Sequence, residues 1–78
     1  MIGAFSDPRL KTDIRVIGKH ADLDVIDWQW NDYAFIKFGF KGRSTGFNAA
    51  EVAEKHPDCV FTDGGLLKVD YEKVLRLH

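Results

Sequence analysis

The sequence predicts a small single-domain α+β fold, in which antiparallel β-hairpins carry two short helices packed on them. Apolar and polar residues alternate over residues 26–31, which is the period of a strand with one face on a core. Asn48 precedes a helical pattern of apolar residues over residues 49–55. A glycine-rich segment, residues 62–65, separates two short apolar runs, as in a β-hairpin.

Length and composition favour one folded domain. The chain has 78 residues, of which 45% are hydrophobic and 13% aromatic. This hydrophobic fraction is too high for a disordered segment, although the length is near the lower limit for a single apolar core. We expect that core to form around six aromatic residues: Trp28, Trp30, Phe38, Phe40, Phe47 and Phe61.

The charge pattern limits the possible partners. Eleven basic and twelve acidic residues are mixed along the chain and give a net charge of -1, so we predict no nucleic-acid partner. No apolar run is long enough for a membrane span, and we predict no membrane association. The single cysteine, Cys59, excludes an internal disulfide and favours a cytosolic or virion setting. The three histidines lack metal-ligand spacing, and we expect no metal or cofactor.

The first half of the chain begins with an extended arm, residues 1–5, that leads into a proline turn. Residues 14–17 are too short a run to classify as helix or strand. The alternation of residues 26–31 is repeated over residues 34–40 after the turn-forming pair Asn31-Asp32. We therefore expect these two segments to form an antiparallel hairpin.

The second half contains the predicted helices. Asn48 caps the helix over residues 49–55, and Glu51 stands where its side chain can reach back to the amide of the cap. Residues 60–69 form the second hairpin, and Asp70 caps a last short helix.

Three short blocks follow one another in a fixed order. They are Ser-Asp-Pro-Arg-Leu-Lys at residues 6–11, Gly-Phe-Asn-Ala-Ala-Glu-Val at residues 46–52 and Leu-Lys-Val-Asp-Tyr at residues 67–71. Together these blocks resemble the intramolecular chaperone auto-processing domain, an endosialidase-type peptidase found at the C-termini of phage tail spikes and tail fibres. The resemblance extends from Ser6 to about Leu75.

The resemblance implies a function. Domains of this family help a trimeric fibre to assemble and then cut their own chain before the motif serine. On this chain the family's serine and lysine pair would be Ser6 and Lys11, with the cut between Phe5 and Ser6. The arm of residues 1–5 would then precede a chaperone-like domain of residues 6–78. The expected partner is a phage tail fibre or tail spike protein, the expected assembly a homotrimer, and the expected location the host cytoplasm or the virion.

The chemistry of such a pair is well defined. A serine hydroxyl needs a nearby base, and Lys11 can be that base only when it is uncharged. Burial, or a neighbouring cation such as Arg9, would lower the pKa of Lys11 toward neutrality. Asp7 and the amides of the proline turn are candidates for orienting groups or oxyanion donors. By default, Lys11 and Arg9 are solvated surface charges, and Ser6 and Asp7 are turn residues.

A non-enzymatic function is the alternative hypothesis. Only five residues precede Ser6, so a cut there would release a very short segment. The chain would then be a small phage binding protein that reuses the fold, either a virion component or an inhibitor of a host defence complex. The sequence leaves open which of these hypotheses applies and whether the chain cuts itself.

Overall fold

The computed structural model describes residues 3–78 and confirms a small α+β domain with two three-stranded antiparallel sheets. The strands are β1 (Gly3–Phe5), β2 (Lys11–His20), β3 (Leu23–Trp30), β4 (Arg43–Gly46), β5 (Val60–Asp63) and β6 (Leu66–Asp70). The helices are α1 (Asp32–Phe38), α2 (Ala49–Lys55) and α3 (Tyr71–Leu75), and short 3-10 helices span Pro8–Leu10 and Pro57–Cys59. None of the helices within residues 3–78 is long and apolar enough to cross a membrane.

The first sheet joins the two ends of the chain. Its strand order is β1-β6-β5, with Phe5 opposite Lys68 in the β1–β6 pair. The predicted hairpin of residues 60–69 is confirmed as β5 and β6. Gly64 and Gly65 form its turn with φ angles of 60° and 80°, a backbone region that favours glycine. Met1 and Ile2, the first residues of the predicted arm, lie outside the described residues.

The second sheet has the order β2-β3-β4. Residues 14–17, which the sequence left unclassified, belong to β2. The side chains of residues 12–19 are all exposed, including the apolar side chains of Ile14, Val16 and Ile17. The strand therefore lacks the alternation of buried and exposed residues from which a strand is predicted.

The predicted hairpin between residues 26–31 and 34–40 is wrong. Most of the second segment belongs to α1, so the described chain has three α-helices rather than the expected two. The Asn31 side chain accepts a hydrogen bond from the Ala34 amide at 3.0 Å and starts the helix. Gly39, with a φ of 76°, ends it in the left-handed conformation.

The helix predicted over residues 49–55 is confirmed as α2, and its cap Asn48 accepts from the Ala50 amide at 2.9 Å. The role predicted for Glu51 is wrong. Its carboxylate accepts a hydrogen bond from the Asp24 amide at 2.9 Å. This tertiary contact replaces the predicted contact with the amide of the cap. The Asp70 cap on α3 is confirmed by a bond from the Lys73 amide.

The core has two clusters of buried side chains. The larger one packs α2 and α3 against strands of both sheets, and its buried members are Leu23, Phe47, Ala49, Val52, Cys59, Val69 and Val74. The smaller one lies under α1, with Leu10, Ala34 and Leu66 buried and four aromatic rings partly covered: Phe5, Trp30, Phe38 and Phe40. Of the six aromatic residues expected in the core, only Trp28 and Phe47 are buried, and the other four are partly exposed.

Candidate functional site

A tight turn brings Lys11 back to Ser6. Pro8 occupies the first turn of the 3-10 helix, where its fixed φ is compatible and no amide hydrogen is needed. Asp7 caps this helix by accepting from the Arg9 amide at 2.9 Å. The turn ends at Lys11, the first residue of β2. The Lys11 side chain can therefore reach the backbone of Ser6.

Lys11 is buried, with only 7% of its surface exposed, so the default interpretation of a solvated surface charge is wrong and the alternative of a buried lysine holds. Its Nζ donates hydrogen bonds of 2.7 Å to the backbone carbonyls of Ser6 and Phe47. The same nitrogen lies 3.9 Å from the centre of the Trp28 ring. No carboxylate of the described residues forms an ion pair with Lys11.

Burial lowers the pKa of Lys11 from 10.5 to about 7, and the charge of Asp7 opposes this shift. Arg9, the neighbouring cation that could lower this pKa, is not among the causes of the shift. Its guanidinium is 65% exposed and pairs with Asp7 at 2.7 Å, so it does not place a second cation beside Lys11. Near neutral pH a large share of the Lys11 amine is therefore uncharged.

The two carbonyl bonds suit an uncharged amine. A neutral Nζ has two hydrogens and one lone pair, and both hydrogens already have acceptors at 2.7 Å. The lone pair then remains to accept a proton. In the charged form the third hydrogen has no hydrogen-bond acceptor among residues 3–78, but the face of Trp28 lies close enough for a cation–π interaction.

Ser6 is fully buried, and its hydroxyl lies 3.2 Å from the hydroxyl of Tyr71. The Lys11 amine thus contacts Ser6 at its backbone carbonyl, whereas the Ser6 hydroxyl pairs with the hydroxyl of Tyr71. No hydrogen bond of the described residues joins the Lys11 amine to the Ser6 hydroxyl. The candidate nucleophile and base are brought together, but they are not hydrogen-bonded to each other.

Gly46 makes room for Tyr71. A Cβ atom at this position would collide with the Tyr71 hydroxyl and would lie close to the Trp28 ring. Gly46 is buried at the end of β4. The absence of a side chain there lets the phenol approach Ser6.

Asp7 orients the turn rather than the serine hydroxyl. Arg9 binds its carboxylate with two side-chain nitrogens, at 3.0 and 2.7 Å, and the Leu67 amide donates to it at 3.0 Å. The pKa of Asp7 is lowered to about 2, chiefly by the hydrogen bonds from the Arg9 side chain. Asp7 thereby fastens the turn to β6.

The backbone around the expected cut is also held. The Ser6 amide donates to the Leu67 carbonyl at 3.2 Å, and the Ser6 carbonyl accepts from the Ala49 amide at 2.8 Å. The amides of the proline turn are candidates for oxyanion donors, and two of them, those of Arg9 and Leu10, donate to Asp7 in this structure. Phe5, the residue before the expected cut, is the last residue of β1.

Sequence reasoning did not assign Tyr71, Trp28 or the Phe47 carbonyl to the site. Tyr71 and Phe47 lie in two of the three blocks that carry the family resemblance, and this was the available signal. Trp28 lies outside the blocks, and the alternation over residues 26–31 predicts a core residue at this position. It is a core residue, but its ring also contacts the lysine.

The part of the chain that the structure describes contains no group of three His, Cys, Asp or Glu side chains able to hold a metal ion. No protein-family model, no curated protein and no solved structure matched this chain.

Proposed function

We propose that this chain is a tail-fibre-type intramolecular chaperone domain that assists assembly of a trimeric phage fibre or spike and cuts its own chain between Phe5 and Ser6. In this proposal Ser6 is the nucleophile and Lys11 the general base. The observation that carries the proposal is the buried Lys11, whose amine lies 2.7 Å from the Ser6 carbonyl and whose pKa is about 7. Burying a lysine without a carboxylate partner is costly, and such perturbed groups cluster at functional sites.

The proposed reaction begins when the Lys11 lone pair takes the proton of the Ser6 hydroxyl. The Ser6 oxygen attacks the carbonyl carbon of Phe5, the Phe5–Ser6 C–N bond breaks, and the proton passes from Lys11 to the Ser6 nitrogen. This step converts the peptide bond into an ester. Water then hydrolyses the ester, leaving a carboxylate on Phe5 and a free hydroxyl on Ser6. The Lys11 amine must turn from the Ser6 carbonyl to the hydroxyl for the reaction to start.

The exposed surface of β2 supports association with other subunits. Ile14, Val16 and Ile17 are 44%, 61% and 56% exposed, and they lie in one short stretch of the strand. Clustered exposed apolar side chains of this kind are typical of protein–protein contacts. In the proposed function this strand is available to contact neighbouring subunits.

A second candidate function is a non-enzymatic binding protein built on the same fold, either a virion component or an inhibitor of a host defence complex. The observation that favours it is the pairing of the Ser6 hydroxyl with Tyr71 instead of Lys11. In this case the buried groups only stabilise the turn. The chain would then bind its partner without being cut.

Intact-mass measurements test the enzymatic proposal. The purified chain is incubated between pH 6 and pH 9, and the fraction that has lost residues 1–5 is followed with time under denaturing and native conditions. We expect trimers that contain shortened subunits, with a cleavage rate that rises with pH through about 7 as Lys11 loses its proton. Ser6→Ala and Lys11→Met should each abolish the cut.

Two matched variants serve as controls. Ser44→Ala changes the other serine of the chain, and Lys41→Met changes an exposed lysine, so both should leave the cleavage rate unchanged. Persistent cutting in the folded Ser6→Ala protein would contradict the assignment of the nucleophile. An intact monomer or dimer at every pH would favour the binding-protein function.

A further inference from the structure

Phe5 lies in an aromatic pocket that the proposed cleavage chemistry does not use. Its ring centre is 4.7 Å from that of Phe38 and 6.2 Å from that of Phe40, and the Lys68 amine lies 4.3 Å from the centre of the Phe5 ring. We define the aromatic pocket as Trp30, Phe38, Phe40 and Lys68. These residues come from β3, from α1 and the segment after it, and from β6.

The pocket is built independently of β1. The ring centre of Phe40 is 4.9 Å from that of Trp30 and 5.2 Å from that of Phe38, where the two rings are stacked. The Lys68 amine is held by Asp63 at 3.0 Å. The aromatic rings also pack on the smaller core cluster. Phe5 therefore enters a surface whose other members are fixed by their own contacts.

The backbone of β1 binds in the manner of an added peptide strand. Gly3, Ala4 and Phe5 pair with Asp70, Val69 and Lys68 along one side of β6. In this mode of recognition, main-chain hydrogen bonds hold an extended segment and a side-chain pocket supplies the selectivity. Phe5 is the member of β1 whose side chain enters the pocket.

Phe5 does not fill the space. A surface cavity of about 340 Å³, open to solvent, lies beside it and is lined by Ala4, Phe5, Trp30, Phe40 and Lys68. Most of this lining is apolar, with the Lys68 ammonium at the Phe5 ring. This lining suits an aromatic side chain, whereas a small side chain would leave the pocket rings without contacts.

We propose that the aromatic pocket is a recognition site for one aromatic side chain carried by an extended segment on β6, and that it selects the residue immediately before the cut. The second part rests on the proposed function. Seating an aromatic residue there fixes Phe5 in β1 and the following residue, Ser6, beside Lys11. The pocket thus determines which peptide bond is presented to the Ser6 and Lys11 pair.

Amide hydrogen exchange tests the pocket without requiring cleavage. In the Ser6→Ala background, the amides of Ala4 and Val69, which face each other across β1 and β6, are compared with the amide of Val52 in α2. Phe5→Ala should speed exchange at Ala4 and Val69 roughly tenfold or more, because the local opening of β1 loses its side-chain anchor. Phe5→Trp should exchange no faster than the parent.

Phe35→Ala is the matched control, because this exposed phenylalanine lies outside the pocket and should leave all three amides unchanged. Unchanged exchange in Phe5→Ala would overturn the proposal. Equal acceleration at Val52 would also overturn it, because Phe5 would then stabilise the whole core instead of one local site.

Cleavage in the Ser6 parent then separates the two proposals. If the Ser6 and Lys11 pair cuts the chain, Phe5→Ala should be cut roughly tenfold more slowly than the parent. Phe5→Trp should be cut at a rate similar to that of the parent. Equal rates in all three would overturn the selection of the cut position. If the parent is never cut, self-cleavage and selection of the cut both fail, and the exchange result alone decides whether the pocket recognises an aromatic side chain.

Discussion

The Lys11 ammonium is stabilised by two carbonyl oxygens and an aromatic ring, yet it is placed where water cannot solvate it. The carbonyls of Ser6 and Phe47 accept its hydrogens, and the Trp28 ring covers it. These contacts recover only part of the solvation lost on burial, so the pKa falls to about 7. The protonation state of this one side chain therefore couples folding to pH.

Stability should rise with pH because of Lys11. The folded chain loses the proton near pH 7, whereas the unfolded chain keeps it up to the ordinary value of 10.5. Between these values the unfolded state binds more protons, so the free energy of unfolding increases with pH. The contribution at pH 9 relative to pH 6 is about 2–3 kcal/mol. Urea unfolding of the parent and of Lys11→Met at both pH values measures it.

The Lys11→Met variant should lose this part of the pH dependence, whereas Lys41→Met, at an exposed lysine, should keep it. Taking the difference between variants removes the contributions of the other titrating groups. If Lys11→Met has the same pH dependence as the parent, Lys11 is not its source.

The close contact between Gly46 and Tyr71 is open to a double-mutant cycle. Gly46→Ala should cost about 1–3 kcal/mol, because the new methyl group collides with the Tyr71 hydroxyl. The same change in a Tyr71→Phe background should cost less, because the colliding oxygen is gone. Gly18→Ala, which adds a methyl group into open space, is the control. Thermal or urea unfolding of the four proteins gives the coupling, and equal costs in both backgrounds would contradict it.

Only part of this site could be predicted from sequence. Ser6 and Lys11 are five positions apart, and the resemblance of their block to a known family pointed to them. Tyr71, in contrast, reaches Ser6 from 65 positions away. Periodicity and spacing describe neighbours along the chain. They cannot show that the hydroxyl of a distant tyrosine pairs with the hydroxyl of the expected nucleophile.

Among the helices, α1 shows how capping can override an alternating pattern. Apolar side chains stand at every second position from Ala34 to Phe40, which favours a strand. Asn31 and Gly39 instead start and end a helix of seven residues. Ala34 is fully buried but Ile36 is 81% exposed, so the apolar residues at every second position do not share one buried face. The two end residues were the better guide to this element.

Asn31 should contribute more to stability than Asn48, although both cap helices. Asn31 accepts from the Ala34 amide at 3.0 Å and also donates to the Arg9 carbonyl at 2.8 Å, which ties α1 to the proline turn. Asn31→Ala should therefore cost about 1–2 kcal/mol. Urea unfolding measures this cost.

Asn48→Ala is the comparison, since the Asn48 side chain makes a single hydrogen bond, from the Ala50 amide, within residues 3–78. Its cost should be smaller by roughly 0.5–1 kcal/mol. An equal or larger cost for Asn48→Ala would show that the bond to Arg9 adds nothing to stability.

In the molecule as a whole, the candidate site lies where the two sheets meet. Ser6 directly follows β1 and Tyr71 directly follows β6, both in the first sheet. Lys11 begins β2 and Phe47 follows β4, both in the second. The hairpin of β5 and β6 was predictable because its turn residues are local. The pairing of β1 with β6, more than 60 positions apart, depends on tertiary packing that no local pattern encodes.

The strand order β1-β6-β5 gives the proposed cut a lasting consequence. While β1 is attached, β6 is a central strand with both sides paired. If the bond after Phe5 is cut and β1 departs, the backbone groups that paired with it are uncovered, and β6 becomes an edge strand that can recruit another chain. Because the severed bond would not re-form, this change of β6 from a central strand to an edge strand would be permanent.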